Sequence, residues 1–194
     1  MDKEFEIITK KYSDDDTKAL ISFLKPTKIK LLTHTYKDKD DDQWLRLSSG
    51  KVKRITSSGK GKSFVNSHFC YEDLSSRDKD DYNYTLLGSE TVNGEDCYKI
   101  EAVDKKGSQG KVYDKTVIYI RKSDFFAMKV DFYQKGELYK YLENFDIREV
   151  DGIKTPFKLV MSLADGQGKT EIFTTDVKYN VEIQDRKFNK EALR

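Results

Sequence analysis

The chain has 194 residues, of which 37% are hydrophobic, 36% are charged and 12% are aromatic. This length suffices for one domain with a hydrophobic core, and the aromatic content argues against intrinsic disorder. The formal charge of +2 gives no overall basic surface, so nucleic acid is not an expected partner. No stretch approaches about 18 consecutive apolar residues, so we predict no membrane-spanning helix, and the first residues lack the apolar core of a signal peptide.

Hydrophobic and polar residues alternate with a period of two in the first part of the chain, which is typical of β-strands. This pattern predicts strands within residues 4–12, 18–26, 28–36 and 43–55. Ser49-Gly50 divides the last of these segments into the two strands of a hairpin. The aromatic-rich segment 63–84 comes next, and its residues 70–76 are predicted to form a short turn of helix.

The same alternation continues in the rest of the chain. It predicts strands within residues 82–103, 115–122, 125–150 and 150–180. Short turns separate these strands at Asn93-Gly94, Lys135-Gly136, Asp151-Gly152 and Asp165-Gly166. Strands joined by such turns indicate an antiparallel meander, and a second helical turn is predicted within residues 186–194.

Several predicted strands carry apolar side chains on both faces. One of them places Met128, Val130 and Phe132 on one face and Tyr133 on the other. One face of such a sheet can pack on a helix while the other lines a cavity. The pattern therefore predicts a strongly curved antiparallel sheet around a ligand-sized hollow.

The sequence contains no complete motif for catalysis, nucleotide binding or metal binding, because the required residues do not stand at the required spacing. Residues 57–63 end like a phosphate-binding loop, but Thr56 stands where that loop requires glycine. Neither His34 nor His68 is spaced from a cysteine or from the other histidine as zinc ligands are. We therefore predict no catalytic residue, no bound metal and no cofactor.

The two cysteines leave two alternatives open. Cys70 and Cys97 could form a disulfide in an oxidising compartment, or both could be buried thiols.

Three blocks of the sequence together resemble a known family. They are the Trp44 strand with the basic hairpin 51–54, the segment that ends in Tyr71-Glu72-Asp73-Leu74, and the turn 150–153 followed by Thr155-Pro156. From about residue 15 to the C-terminus, the chain resembles the outer-membrane lipoprotein-sorting proteins of the LolA-like superfamily, in their branch of uncharacterised periplasmic members.

The resemblance implies a mainly β fold: a strongly curved antiparallel sheet, or unclosed β-barrel, with a few short helices over its concave face. It implies one LolA-like domain over residues 1–194. Family members begin with a signal peptide, a helix and a first strand, and this chain starts at what resembles the second strand. We therefore expect it to lack those three elements and to belong to a protein that is exported to the periplasm.

The resemblance also implies a function without enzymatic chemistry, in which an apolar cavity binds acyl chains of lipids or lipoproteins. Expected partners are those acyl chains and an inner-membrane transporter or outer-membrane acceptor, with the protein itself a monomer. The alternative is an envelope sensor that uses the same hollow to detect lipids or lipoproteins.

Candidates for the cavity lining are apolar residues of the predicted strands and of the segment 63–84, which we expect to cover the cavity. They are Leu20, Leu32, Trp44, Phe69, Tyr71, Leu74, Tyr98, Ile100, Ile118, Met128, Val130, Phe132, Phe157, Leu159 and Met161. Ordinary core packing is the alternative for each of them, because periodicity does not decide which face of a two-sided strand looks inward.

Overall fold

The computed structural model describes residues 2–12, 16–37, 39–75, 77–109 and 111–193. Over these residues the fold is built from antiparallel strands that pair in chain order. The strands are β1 (Glu4–Lys11), β2 (Thr17–Lys25), β3 (Lys30–Thr35), β4 (Asp42–Arg46), β5 (Val52–Ile55), β6 (Tyr82–Val92), β7 (Glu95–Asp104), β8 (Lys115–Arg121), β9 (Ala127–Gln134), β10 (Glu137–Val150), β11 (Ile153–Leu163) and β12 (Lys169–Phe173). Short 3₁₀ helices span Ser57–Gly59, Tyr71–Leu74, Lys79–Asp81, Asp185–Phe188 and Lys190–Leu193.

The predicted fold class is confirmed. Strands β1 to β5 form one sheet and β6 to β12 form another, and neither closes into a barrel over the described part of the chain. The predicted turns form as expected: Asn93 and Gly94, for example, have φ values of 51° and 82°, which suit a tight hairpin. Both predicted helical turns are present as 3₁₀ helices. No helix among the described residues is long and apolar enough to cross a membrane.

The chain divides into two compact units. The first comprises Met1–Lys62, Tyr71–Arg77 and Val181–Arg194, and the second comprises Ser63–Cys70 and Asp78–Asn180. The first unit holds the five-stranded sheet and the second holds the seven-stranded sheet. The assignment of residues 1–194 to one domain stays a prediction.

The core of the first unit lies between its sheet and the C-terminal segment. Leu20, Leu32 and Trp44 lie opposite one another on β2, β3 and β4. Phe188 and Leu193, both fully buried, pack on them from the two C-terminal 3₁₀ helices. Burying side chains of this size stabilises the fold by roughly 1.5–3 kcal/mol each. The C-terminal segment is thus the second layer of this unit.

His34 joins the C-terminal segment to the sheet. Its Nε2 lies 2.7 Å from the carbonyl oxygen of Phe188, which can only accept, so Nε2 carries the proton. Nδ1 is then free to accept from the Tyr36 hydroxyl at 3.3 Å. The ring also meets Trp44 edge-on, with centroids 5.0 Å apart. Burial lowers the pKa of His34 from its ordinary value, so the imidazole is neutral in this arrangement.

Acidification is expected to destabilise the first unit through His34. Near the ordinary histidine pKa of 6.5, His34 becomes protonated in the unfolded chain but stays neutral in the folded protein, where its pKa is lower. The free energy of unfolding therefore falls as the pH decreases through this range. The effect should be less than about 1 kcal/mol because the ring is only half-buried. Chemical denaturation at about pH 7.5 and about pH 5 measures it. His34→Gln, which keeps a donor but does not titrate, should lose less stability between these pH values, and an equal loss would contradict the assignment.

Candidate functional site

One face of the seven-stranded sheet carries a continuous row of apolar side chains. Its members lie opposite one another on six successive strands, from β6 to β11. We call this set the apolar row: Leu86, Ile100, Ile118, Val130, Leu142 and Met161. Because side chains two residues apart on a strand share a face, Tyr98, Phe132, Phe157 and Leu159 lie on the same side.

The opposite face of this sheet combines ion pairs with a buried apolar cluster that includes Val117 and Tyr119. Lys129 and Asp131 form an ion pair there at 2.9 Å, and Lys158 and Glu171 form another at 3.2 Å. The apolar side chains of an antiparallel sheet are normally covered by another part of the protein. The way in which the apolar row is covered therefore decides whether a ligand can reach it.

A hairpin formed by residues 63–70, which we call the cover hairpin, closes one end of the apolar face. The N–H of Phe64 donates to the Phe69 carbonyl at 2.8 Å, and the turn residues Val65 and Asn66 have φ values of 52° and 56°. A β-branched residue rarely adopts a positive φ, so the tertiary contacts of the hairpin must stabilise this turn. Phe69 is one of those contacts, since it packs into a cluster with Met161.

The buried cluster under the cover hairpin joins three parts of the second unit. Phe69 and Cys70 come from the hairpin, Phe132 and Met161 from the sheet, and Tyr113 from the loop before β8. The Cys70 thiol lies 3.2 Å from the Tyr113 hydroxyl. This cluster buries the β11 end of the apolar row.

Lys140 anchors the cover hairpin from below. The side chain is 1% exposed, and its Nζ donates to the His68 carbonyl at 3.0 Å. Nζ also lies 5.5 Å from the centre of the Tyr113 ring and 5.7 Å from that of Phe132. Aromatic faces and a carbonyl oxygen offset part of the cost of burying an amine. Sequence reasoning missed Lys140, although its place two residues before Leu142 puts it on the apolar face.

His68 fixes the hairpin to the strand at the far end of the sheet. Its backbone N–H donates to Thr170 Oγ1 at 3.0 Å, and Nδ1 lies 2.8 Å from the same oxygen. The ring lies against Gly168, where an added Cβ would be 2.5 Å from Nε2. Only glycine fits at position 168 with the ring in this place. His68 thus has a structural role here, and the sequence contains no pattern that would have revealed its contact with Gly168.

The other end of the apolar face is open. Leu86 is 63% exposed, and its neighbours Tyr84 and Leu87 are each 49% exposed. Ile100 and Ile118, the next members of the row, are half-buried. The apolar face is therefore closed by the cover hairpin at one end and accessible at β6.

The remaining candidate residues lie elsewhere. Leu20, Leu32 and Trp44 belong to the core of the first unit. In the same unit, Tyr71 is buried and Leu74 half-buried in the 3₁₀ helix Tyr71–Leu74, where the Tyr71 carbonyl accepts from the Gln43 amide at 3.0 Å.

The prediction that Met128 shares a face with Val130 and Phe132 is wrong. Tyr119 pairs with Lys129 but Ile120 pairs with Ala127, so Met128 is an extra residue in β9. This bulge turns Met128 to the opposite face, where it packs with residues such as Tyr119.

Cys70 and Cys97 do not form a disulfide with each other. Cys70 lies under the cover hairpin and Cys97 lies in the core cluster of the opposite face. Burial raises the pKa of the Cys97 thiol, which disfavours the reactive thiolate. No three histidine, cysteine or acidic side chains meet as a potential metal site within the ranges that the structure describes.

Comparisons with known proteins agree with this fold. A family model described as "Uncharacterized protein" matches residues 15–194, while no curated protein matches. A crystal structure of a DUF1329 family protein from Desulfovibrio piger ATCC 29098 has 32% identity and a TM-score of 0.91, covering 99% of this chain and 84% of that one.

Two further solved structures are similar. A putative outer membrane lipoprotein-sorting protein domain from Vibrio parahaemolyticus has 29% identity and a TM-score of 0.91, covering 98% of this chain and 83% of that chain. A LolA superfamily protein from Nitrosomonas europaea has 19% identity and a TM-score of 0.60, covering 98% and 90%, and shares the fold. The fold is therefore that of the LolA-like proteins, as the sequence predicted. The chain belongs to the DUF1329 family.

Proposed function

We propose that this protein binds acyl chains of lipids or lipoproteins on the apolar row and carries them in the periplasm, without enzymatic chemistry. The observation that carries this proposal is the row itself, which crosses six strands and is open at Leu86. The similarity to a putative outer membrane lipoprotein-sorting protein domain supports the same function.

The dimensions of the row suit an acyl chain. Strands lie about 4.8 Å apart, so a row across six strands is about 24 Å long. An acyl chain gains about 0.8 kcal/mol for each CH₂ group removed from water, and this gain needs no directional bonds. Affinity would thus follow from the length of chain that the row covers.

The cover hairpin offers a way to change that length. Met161, at the far end of the row, is fully buried beneath the cluster that contains Phe69. A chain entering at Leu86 reaches Met161 only when the hairpin lifts from the sheet. Movement of the hairpin would then regulate uptake and release, as lids do in other binding proteins.

Substitution at the open end tests the proposed function. Leu86→Asp should weaken binding of a fluorescent fatty acid about tenfold, because it places a charge beside the chain. The side chain is 63% exposed, so folding should be unaffected. Phe173→Asp is the matched control, since Phe173 is 61% exposed on the edge strand at the other end of the sheet, on the face opposite the apolar row. Equal affinities of both variants and the native protein would contradict the proposal.

Mass spectrometry of the gently purified protein gives an independent test. Co-purified lipid is the expected result. A lipid-free protein that binds a membrane protein tightly would instead support the envelope sensor.

A further inference from the structure

Positive charge is concentrated in one part of the first unit. The chain as a whole has nearly equal numbers of basic and acidic residues, 36 and 34. Between Asp42 and Glu72, however, it contains six lysines and arginines and no acidic residue. This stretch includes the hairpin of β4 and β5 and the loop that follows it. The hairpin therefore carries a positive potential that the net charge of +2 does not reveal.

Two turns meet at one end of the five-stranded sheet. They comprise residues 24–28, around the turn from β2 to β3, and residues 46–53, around the turn from β4 to β5, and we call them together the basic tip. The Arg46 guanidinium donates to the Lys28 carbonyl at 2.8 Å and so joins the turns. Strands lie about 4.8 Å apart, so the distance from β2 to β5 gives the tip a width of about 14 Å.

The lysines of the basic tip are exposed, and most of them lack a counter-ion. Lys28, Lys51 and Lys53 are exposed and form no ion pair within the described part of the chain. Lys25 is the exception, since it pairs with Glu4 at 3.4 Å. The tip thus presents three lysines whose charge is not neutralised by the protein itself.

Two more polar atoms of the basic tip have unused hydrogen-bonding capacity. Thr27 Oγ1 and Arg46 Nε are buried and have no hydrogen-bond partner among the described residues. Arginine Nε can only donate, and a threonine hydroxyl can donate as well. Oxygen atoms of an anion would satisfy both donors once the side chains turn outward.

Exposed apolar side chains stand among these cations. Leu24 is 51% exposed and Val52 is 39% exposed. Lysines interspersed with exposed apolar groups are typical of protein surfaces that lie on a bilayer, where the amines meet lipid phosphates and the apolar groups enter the layer beneath. Lysine is a flexible point charge, which suits a fluid array of phosphates better than a carboxylate at a fixed position on a protein.

We propose that the basic tip docks on the anionic surface of a phospholipid bilayer. Lys28, Lys51 and Lys53 contact the lipid phosphates, and Leu24 and Val52 enter the boundary between headgroups and acyl chains. Each lysine near such a surface strengthens binding about fivefold. The docking surface is separate from the apolar row and does not depend on acyl-chain binding there. It would bring a carrier of acyl chains to the membranes between which it moves.

Cosedimentation with lipid vesicles tests the proposal. The protein should bind vesicles that contain phosphatidylglycerol and not vesicles of phosphatidylcholine alone, and added salt should weaken the binding. Lys28→Gln/Lys51→Gln is expected to lower the affinity about thirtyfold, and Leu24→Asn about fivefold. Lys135→Gln/Lys178→Gln is the matched control, because it removes the same charge from two exposed lysines of the second unit and should bind as the native protein does.

Three results would overturn the proposal. The first is equal binding to both kinds of vesicle, or an equal loss of affinity in the tip variant and in its control. The second is loss of vesicle binding by Leu86→Asp but not by the tip variant, which would place the contact at the apolar row. The third is tighter binding of the tip to polyglutamate than to anionic vesicles, which would assign the tip to an acidic protein.

Discussion

Replacing Phe69 with alanine is expected to lower the free energy of unfolding by about 3–5 kcal/mol. Phe69 is 8% exposed and packs with Phe132, Tyr113 and Met161 beneath the cover hairpin. Removing the Phe69 ring leaves a cavity. The hairpin could fill this cavity only by shifting its two arms relative to each other, which would break the turn at Val65 and Asn66. Chemical denaturation followed by fluorescence measures the loss.

The same variant should bind a fatty-acid probe more weakly, because a loose hairpin no longer shields the inner end of the row from water. Phe69→Leu retains much of the apolar volume. Its free energy of unfolding and its affinity for the fatty acid should lie between those of Phe69→Ala and the native protein. His68→Ala keeps the packing and should change the free energy of unfolding by less than about 1.5 kcal/mol. A large effect of His68→Ala with a small effect of Phe69→Ala would reverse the roles assigned to these two residues.

Replacing Gly168 with alanine is expected to destabilise the protein by about 1–3 kcal/mol. The added Cβ would stand 2.5 Å from His68 Nε2, and the ring cannot move away without losing its hydrogen bond to Thr170. The backbone itself does not oppose the change, because Gly168 does not adopt a positive φ.

The destabilisation by alanine at position 168 should therefore disappear when the ring is absent. In a His68→Ala background, Gly168→Ala is expected to raise the free energy of unfolding by about 0.4–1 kcal/mol, since alanine restricts the unfolded chain more than glycine does. The four proteins form a double-mutant cycle, measured by denaturation. An equal loss in both backgrounds would show that His68 does not cause the clash.

The strands and their turns could be predicted from the sequence because their signals are local. Alternation places residues on faces, and pairs such as Asn93-Gly94 and Asp151-Gly152 supply the positive φ values that tight turns require. The short helices within residues 70–76 and 186–194 could be predicted in the same way. The division of the strands between two sheets was not, because strand pairing depends on contacts beyond any one turn.

The site was only partly predictable, and the missing part depends on register. Alternation identifies Ile100, Ile118 and Val130 as candidates, but only the strand register shows that they lie opposite one another. Met128 was placed on the wrong face because a bulge breaks the alternation in β9. A bulge inserts one residue without a distinct sequence signal, and every side chain beyond it changes face.

Contacts between distant segments were also missed. Lys140 contacts His68, and Tyr113 contacts Cys70, although these residues are far apart in the chain. Lys140 interrupts an apolar face, which in principle marks it as a residue with a buried partner. Its partner is a backbone carbonyl in a hairpin, and no side-chain pattern in the sequence identifies such an acceptor.

Photo-crosslinking tests most directly whether the apolar row binds acyl chains. A long-chain fatty acid with a photoreactive group in the middle of the chain is bound and irradiated, and the adducts are mapped by tandem mass spectrometry. Adducts are expected on β6 to β9, at Leu86, Ile100 or Ile118 and their neighbours on the apolar face. Adducts confined to the opposite face of the sheet, around Lys129 and Lys158, or spread evenly over the surface would contradict acyl-chain binding by the apolar row.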